Sequence, residues 1–191
     1  MKKKVHTHAT FCRLFSIIVS AGTFSGCLVS GQVSEERYLR AEAFVEQGAL
    51  ELRQMHFDEA KRFFELAADL VPLAAAKDGM GCVELLKGDP GKAVVLFQEA
   101  YQMDATYDEA LLNLALAHDI RGDKEGAISI YLEYLDKYPD SVRARNNLAV
   151  LEYDRGGGRM EVLHALSKAE MLSPNRVLSQ NIDVVRRSRG N

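Results

Sequence analysis

The sequence contains no tryptophan, and Phe and Tyr together bring the aromatic content to only 8% of 191 residues. A platform on which successive bases stack is therefore excluded. Four prolines and 14 glycines are too few for a collagen-like or low-complexity chain, and three cysteines are too few for a disulfide scaffold. Neither sign of charge dominates: 24 Lys+Arg stand against 27 Asp+Glu, a formal net charge of −3, which excludes a strongly basic nucleic-acid binder. No apolar run reaches the ~18–20 residues that a membrane-spanning helix needs. What is present is 47% hydrophobic and 27% charged residues, enough for one domain with a real core.

The first 26 residues are a different material from the rest. Lys2, Lys3, Lys4 and Arg13 precede the apolar stretch LFSIIVSAGTFS at 14–25, with no acid among them. A charged start, a short apolar core and small residues after it are the layout of a secretory signal peptide. Phe24-Ser25-Gly26-Cys27 then resembles the lipobox of bacterial lipoproteins, departing from it at Phe24, where Leu is usual. That resemblance implies cleavage before Cys27, a diacylglycerol on its sulfur and an acylated amine. Two or more acyl chains give stable membrane attachment. Leu28, which is not Asp, points to sorting to the outer membrane, with the protein facing the periplasm. Cleavage would remove four basic residues and no acids, leaving 20 Lys+Arg against 27 Asp+Glu, a net of −7. Arg176, Arg186, Arg187 and Arg189 would then form a basic end on an acidic body. Cys12 would leave with the leader and Cys27 would carry lipid, so Cys82 is expected to be a small buried hydrophobe and no intramolecular disulfide is expected.

Self-similarity follows. The segments FDEAKRFFELAADLVP, PGKAVVLFQEAYQMDA, KEGAISIYLEYLDKYP and RMEVLHALSKAEMLSP superimpose at spacings of 33, 34 and 35. Ala60, Ala93, Ala127 and Val162 align, as do Phe64, Phe97, Tyr131 and Leu166, and Ala67, Ala100, Tyr134 and Ala169. Upstream, Gly48, Gly81, Ala115 and Ala149 lie twelve or thirteen residues before the first of these columns. Small residues let two helices approach, an aromatic fills the gap between pairs, and Pro, lacking an N–H, closes the second helix. The pattern resembles the tetratricopeptide repeat. It departs from that family where Glu51, Glu84, His118 and Glu152 replace the usual first-helix aromatic, where Ala105 replaces Pro, and in the degenerate fourth copy with its Gly156-Gly157-Gly158 turn.

The resemblance implies an all-α fold: a right-handed superhelix of about four helix-turn-helix repeats with a C-terminal capping helix. The chain divides into a signal peptide at 1–26, a tether at 27–33, the repeat domain at 34–174, and a capping helix with basic tail at 175–191. Ser34 followed by Glu35 and Glu36 reads as a helix start, and Asn175 as the cap of the last helix.

Catalytic signatures are missing. Gly88-Asp89-Pro90-Gly91-Lys92 lacks the first Gly and the Ser/Thr of a phosphate loop, and no zinc-protease, calcium-loop or nucleophile-elbow motif occurs. A non-enzymatic protein with no cofactor and no small-molecule substrate is expected. One weaker alternative is a periplasmic metal-binding carrier or enzyme built on Glu84 and His118, which stacking of repeats would bring near each other.

Function is instead expected on the surface that first helices line in this family. Mapped onto this chain, the groove-facing places include Glu109, Asn113, Leu116, Arg143, Asn146, Asn147 and Tyr153. Asn113 and Asn147 each offer a donor and an acceptor to a peptide backbone, the alternative being bonds to the adjacent helix. Arg143 has the fork to hold a carboxylate, while Glu42, Asp78 and Glu109 stand where cations would help the same task. The expected partner is a protein segment or helix belonging to an envelope machine such as a pilus, secretion or cell-wall complex, with the membrane contacted through Cys27 and no nucleic acid involved.

Overall fold

The computed structural model describes residues 33–188, and every regular element among them is an α-helix. The expected leader at 1–26, residues 27–32 of the tether, Cys27 and Arg189 lie outside the described residues. The helices are α1 (Glu35–Arg53), α2 (Phe57–Leu70), α3 (Ala74–Leu86), α4 (Pro90–Met103), α5 (Asp108–Arg121), α6 (Lys124–Lys137), α7 (Val142–Asp154), α8 (Arg159–Leu172) and α9 (Arg176–Arg187). No helix among the described residues is long and apolar enough to cross a membrane.

Local chemistry sets the starts. Ser34, Asp89, Asp123, Ser141 and Asn175 each accept a backbone N–H of the first turn of α1, α4, α6, α7 and α9, satisfying donors that a helix start leaves unpaired. Pro90 sits at the first position of α4, where its missing N–H costs nothing. The second helices end ahead of Pro72, Pro139 and Pro174, at cap residues Val71, Tyr138 and Ser173 that have left the helical region, because a following proline disfavours it. Ala105 breaks this rule without breaking the helix end. Asp104 Oδ1 accepts both the backbone N–H of Thr106 at 2.9 Å and its hydroxyl at 2.6 Å, so a side-chain turn does the work of the missing ring.

The chain divides after Ala110 into two compact units. In the N-terminal unit α1 pairs with α2, α3 with α4, and α2 packs on α3. The small-residue and aromatic columns meet there as sequence spacing implies: a Cβ added to Gly48 would lie 2.8 Å from Phe64, one added to Gly79 2.4 Å from the same ring, and one added to Gly81 2.6 Å from Phe97. Phe64 and Phe97 are fully buried against these glycines. In the C-terminal unit α7 packs against α6 and α8, and α9 against α8. Ala149, Val162, Leu166, Ala169, Leu178, Ile182 and Val185 form its core.

Candidate functional site

The four loops inside the helix pairs are built alike. Met55, Gly88, Gly122 and Gly156 occupy the left-handed region, with φ of 64°, 88°, 93° and 86°. The next residue in each turn returns its N–H to the carbonyl of Glu51, Glu84, His118 or Glu152, at 3.0, 2.9, 2.9 and 2.8 Å. This six-residue closure satisfies carbonyls that a helix end leaves open. The column that stands in place of the usual aromatic is thus the column of helix-ending acceptors, and what it supplies to the fold is backbone.

Its side chains settle locally. Glu51 Oε2 lies 2.9 Å from His56 Nδ1, and hydrogen bonds from His56 and then Gln47 hold the Glu51 carboxyl below its ordinary value. His118 Nδ1 lies 2.7 Å from Asp123 Oδ2, and Arg121 donates to the same oxygen at 3.3 Å. The His118 bond holds the Asp123 carboxyl low. Glu84 is buried and receives Lys61 Nζ at 2.8 Å, with Lys92 Nζ at 4.0 Å. Glu84 and His118, the pair suggested for a metal, are therefore each engaged by a neighbour within their own unit. Among the described residues no group of three or more His, Cys, Asp or Glu is arranged to hold a metal ion. Cys82 is fully buried. Its sulfur lies 4.0 Å from Asp78 Oδ2.

The residues assigned to a groove are distributed over α5 and α7. Asn113, Leu116, Asn146 and Asn147 are buried, and Glu109, Arg143 and Tyr153 are half-buried. Arg143 donates to Asn113 Oδ1 across 3.5 Å, a long contact. Asn147 accepts from Asn146 Nδ2 at 3.2 Å and donates to the Tyr131 hydroxyl at 3.2 Å. Burial, partly offset by that bond, pushes the Tyr131 phenol above its ordinary value. Asn146 in turn accepts from Asn181 of α9 at 2.9 Å. A continuous chain of buried amides thus runs from α9 through α7 to the hydroxyl on α6. Such groups are costly to bury unless each is satisfied.

Asn181 and Tyr131 were missing from the site reading, yet a signal for Asn181 was in the sequence. It stands 34 residues after Asn147, which stands 34 after Asn113. The asparagine period therefore continues into α9, which occupies the register of a further first helix. On the N-terminal unit, Glu42 Oε1 is buried without a hydrogen-bond partner among the described residues.

Residues 84–151 match the tetratricopeptide repeat family. The helix pairs have the tetratricopeptide-repeat fold. Solved tetratricopeptide-repeat structures share the fold at low identity. The chain is 21% identical to YrrB, described as a tetratricopeptide-repeat protein with an unusual peptide-binding site, covering 76% of this chain and 74% of that one at a TM-score of 0.59. It is 19% identical to PilF of Pseudomonas aeruginosa, with 80% and 70% covered and a TM-score of 0.71. It is 18% identical to MamA of Desulfovibrio magneticus RS-1, with 81% and 86% covered and a TM-score of 0.63. No curated protein matches the sequence. Stacked repeats of this kind present extended surfaces suited to protein–protein interaction, and the fold supports an interaction scaffold.

Proposed function

We propose that this tetratricopeptide-repeat protein is a lipid-anchored scaffold of the bacterial envelope that holds an extended segment or helix of a partner protein against the first helices of its repeats. The observation that carries the reading is the repeat fold itself, in which the first helices α5 and α7 bring the half-buried Arg143 to 3.5 Å from Asn113 Oδ1. Arg143 adds a fork for a carboxylate of the partner, and Glu109, at the start of α5, an acceptor for its N–H groups. Lipidation at Cys27, cleavage after Gly26 and placement at the outer membrane complete the reading from the lipobox-like FSGC. A pilus, secretion or cell-wall assembly is the kind of machine such a scaffold would serve, by comparison with architecture alone.

Two measurements test it. Cys27→Ala is expected to move the protein from membrane to soluble fractions, and retention at the membrane removes the anchor from the proposal. Arg143→Gln with Glu109→Gln is expected to reduce capture of the partner that co-purifies from detergent-solubilised membranes, with helical circular dichroism unchanged. Undiminished capture places the interface on another face.

A further inference from the structure

Arg159 opens α8, and its guanidinium donates at 3.0 Å to the backbone carbonyl of Arg186 in the last turn of α9. Arg187 follows, so the exposed side chains of Arg159, Arg186 and Arg187 gather at one end of the α8–α9 pair. Among the described residues, counter-charge in contact with them is small. Asp183 pairs with Arg187 at 3.2 Å, and the carbonyl end of α9 carries the equivalent of about half a negative charge. Three guanidiniums exceed that by about one and a half charges. The helix dipole accounts for Arg186 and Arg187 in the last turn, but it does not call a third arginine from α8 to the same place. Next to Arg159 stands Met160, 71% exposed, an unbranched apolar side chain that the core does not use.

We propose that this end of the C-terminal unit docks on an anionic lipid surface, the three guanidiniums taking lipid phosphates and Met160 reaching the acyl boundary. Long cationic side chains around an exposed flexible apolar one suit a fluid headgroup plane. An acidic peptide would also need partners for its backbone, and the carbonyls here are already taken: Arg186's by Arg159, and Val185's by the Ser188 hydroxyl at 2.7 Å. The docking does not rest on lipidation of Cys27. Fractionation of Cys27→Ala tests the anchor, and vesicle binding tests this surface, so the two fail separately.

The test uses the full chain, with Lys2, Lys3 and Lys4 changed to Gln in every sample so that the leader's charge does not mask the patch. Binding is measured by co-sedimentation with vesicles of phosphatidylglycerol and phosphatidylcholine in equal parts, and with vesicles of phosphatidylcholine alone. Anionic vesicles are expected to bind the parent more tightly than neutral ones, and less so as salt screens the attraction. Arg159→Gln, Arg186→Gln and Arg187→Gln together should weaken the anionic binding by about a hundredfold, at roughly fivefold for each charge. Lysine at all three positions should retain it. Should the triple Gln variant lose its helical signal, Arg186→Gln alone decides, by a roughly fivefold loss or none. Equal binding by parent and Gln variants, equal binding to both vesicle types, no binding at all, or loss of binding by the folded Lys variant each overturns the proposal.

Discussion

Met55 is where one of four equivalent turns carries a side chain. Glycine takes the left-handed position in the other three, whereas Met55 is held at φ 64°. For a residue with a Cβ this region costs roughly 1–2 kcal/mol, and for glycine only the extra freedom lost on folding, roughly 0.5–1 kcal/mol. Met55 is 58% exposed, so little burial is surrendered with its side chain. Met55→Gly is therefore expected to stabilise by about 0.5–1 kcal/mol, a rise of about 1–4 °C in Tm for a chain of this size. The reciprocal change isolates the cause. Nothing lies within 4 Å of a Cβ built on Gly122, so Gly122→Met meets no steric obstacle and should lose about the amount that Met55→Gly gains. Thermal unfolding followed by far-ultraviolet circular dichroism reads both. A lower Tm for Met55→Gly, or an unchanged one for Gly122→Met, would refute the assignment of the cost to backbone conformation.

Gly79→Ala places a methyl 2.4 Å from the Phe64 ring, which is fully buried; overpacking of about 1–3 kcal/mol outweighs a helix-propensity gain of about 1 kcal/mol, so Tm should fall. Gly91→Ala, whose Cβ meets only Asp89 Oδ1 at 3.5 Å, should leave Tm level or raise it. Asn181→Ala leaves the buried Asn146 carbonyl without its donor and should cost about 1–3 kcal/mol in urea unfolding, with undiminished stability arguing against the amide chain. Asp123 is held low chiefly by His118, so its contribution is present above the ordinary Asp value of 3.8 and is lost as pH falls towards its depressed folded value. Asp123→Asn should flatten that acid limb of a stability–pH profile, and an unaltered limb would show that the pair does not supply it.

The fold was legible because it is written in columns. Ala60, Phe64 and Ala67 and their equivalents fall on buried faces in every copy, since small-against-aromatic packing leaves a compositional trace that survives at any single position. Helix ends were legible for the same reason, through Ser34, Asn175 and the prolines. The replacement of Pro by Ala105 was not, because an Asp104–Thr106 turn looks like any polar pair until its geometry is drawn. The candidate site was legible only in part. Asn113, Asn146 and Asn147 stood out as groove positions, but Tyr131 and Asn181 enter the amide chain through contacts between helices that no spacing within one helix announces. Glu84 and His118 each take a local partner, and alignment in a repeat reports a shared backbone role as readily as a shared chemical one.

The helix-ending carbonyls of Glu51, Glu84, His118 and Glu152 carry that point further. Because the turn recruits only their main chain, it places no demand on what the side chain is, and three acids and an imidazole serve equally. Each turn is then free to choose its own electrostatic dress, a His partner in one, lysines in another, an Asp in a third. The same scaffold rung thereby carries a different local charge in each repeat, and surface character along the stack varies without any change in where a helix stops.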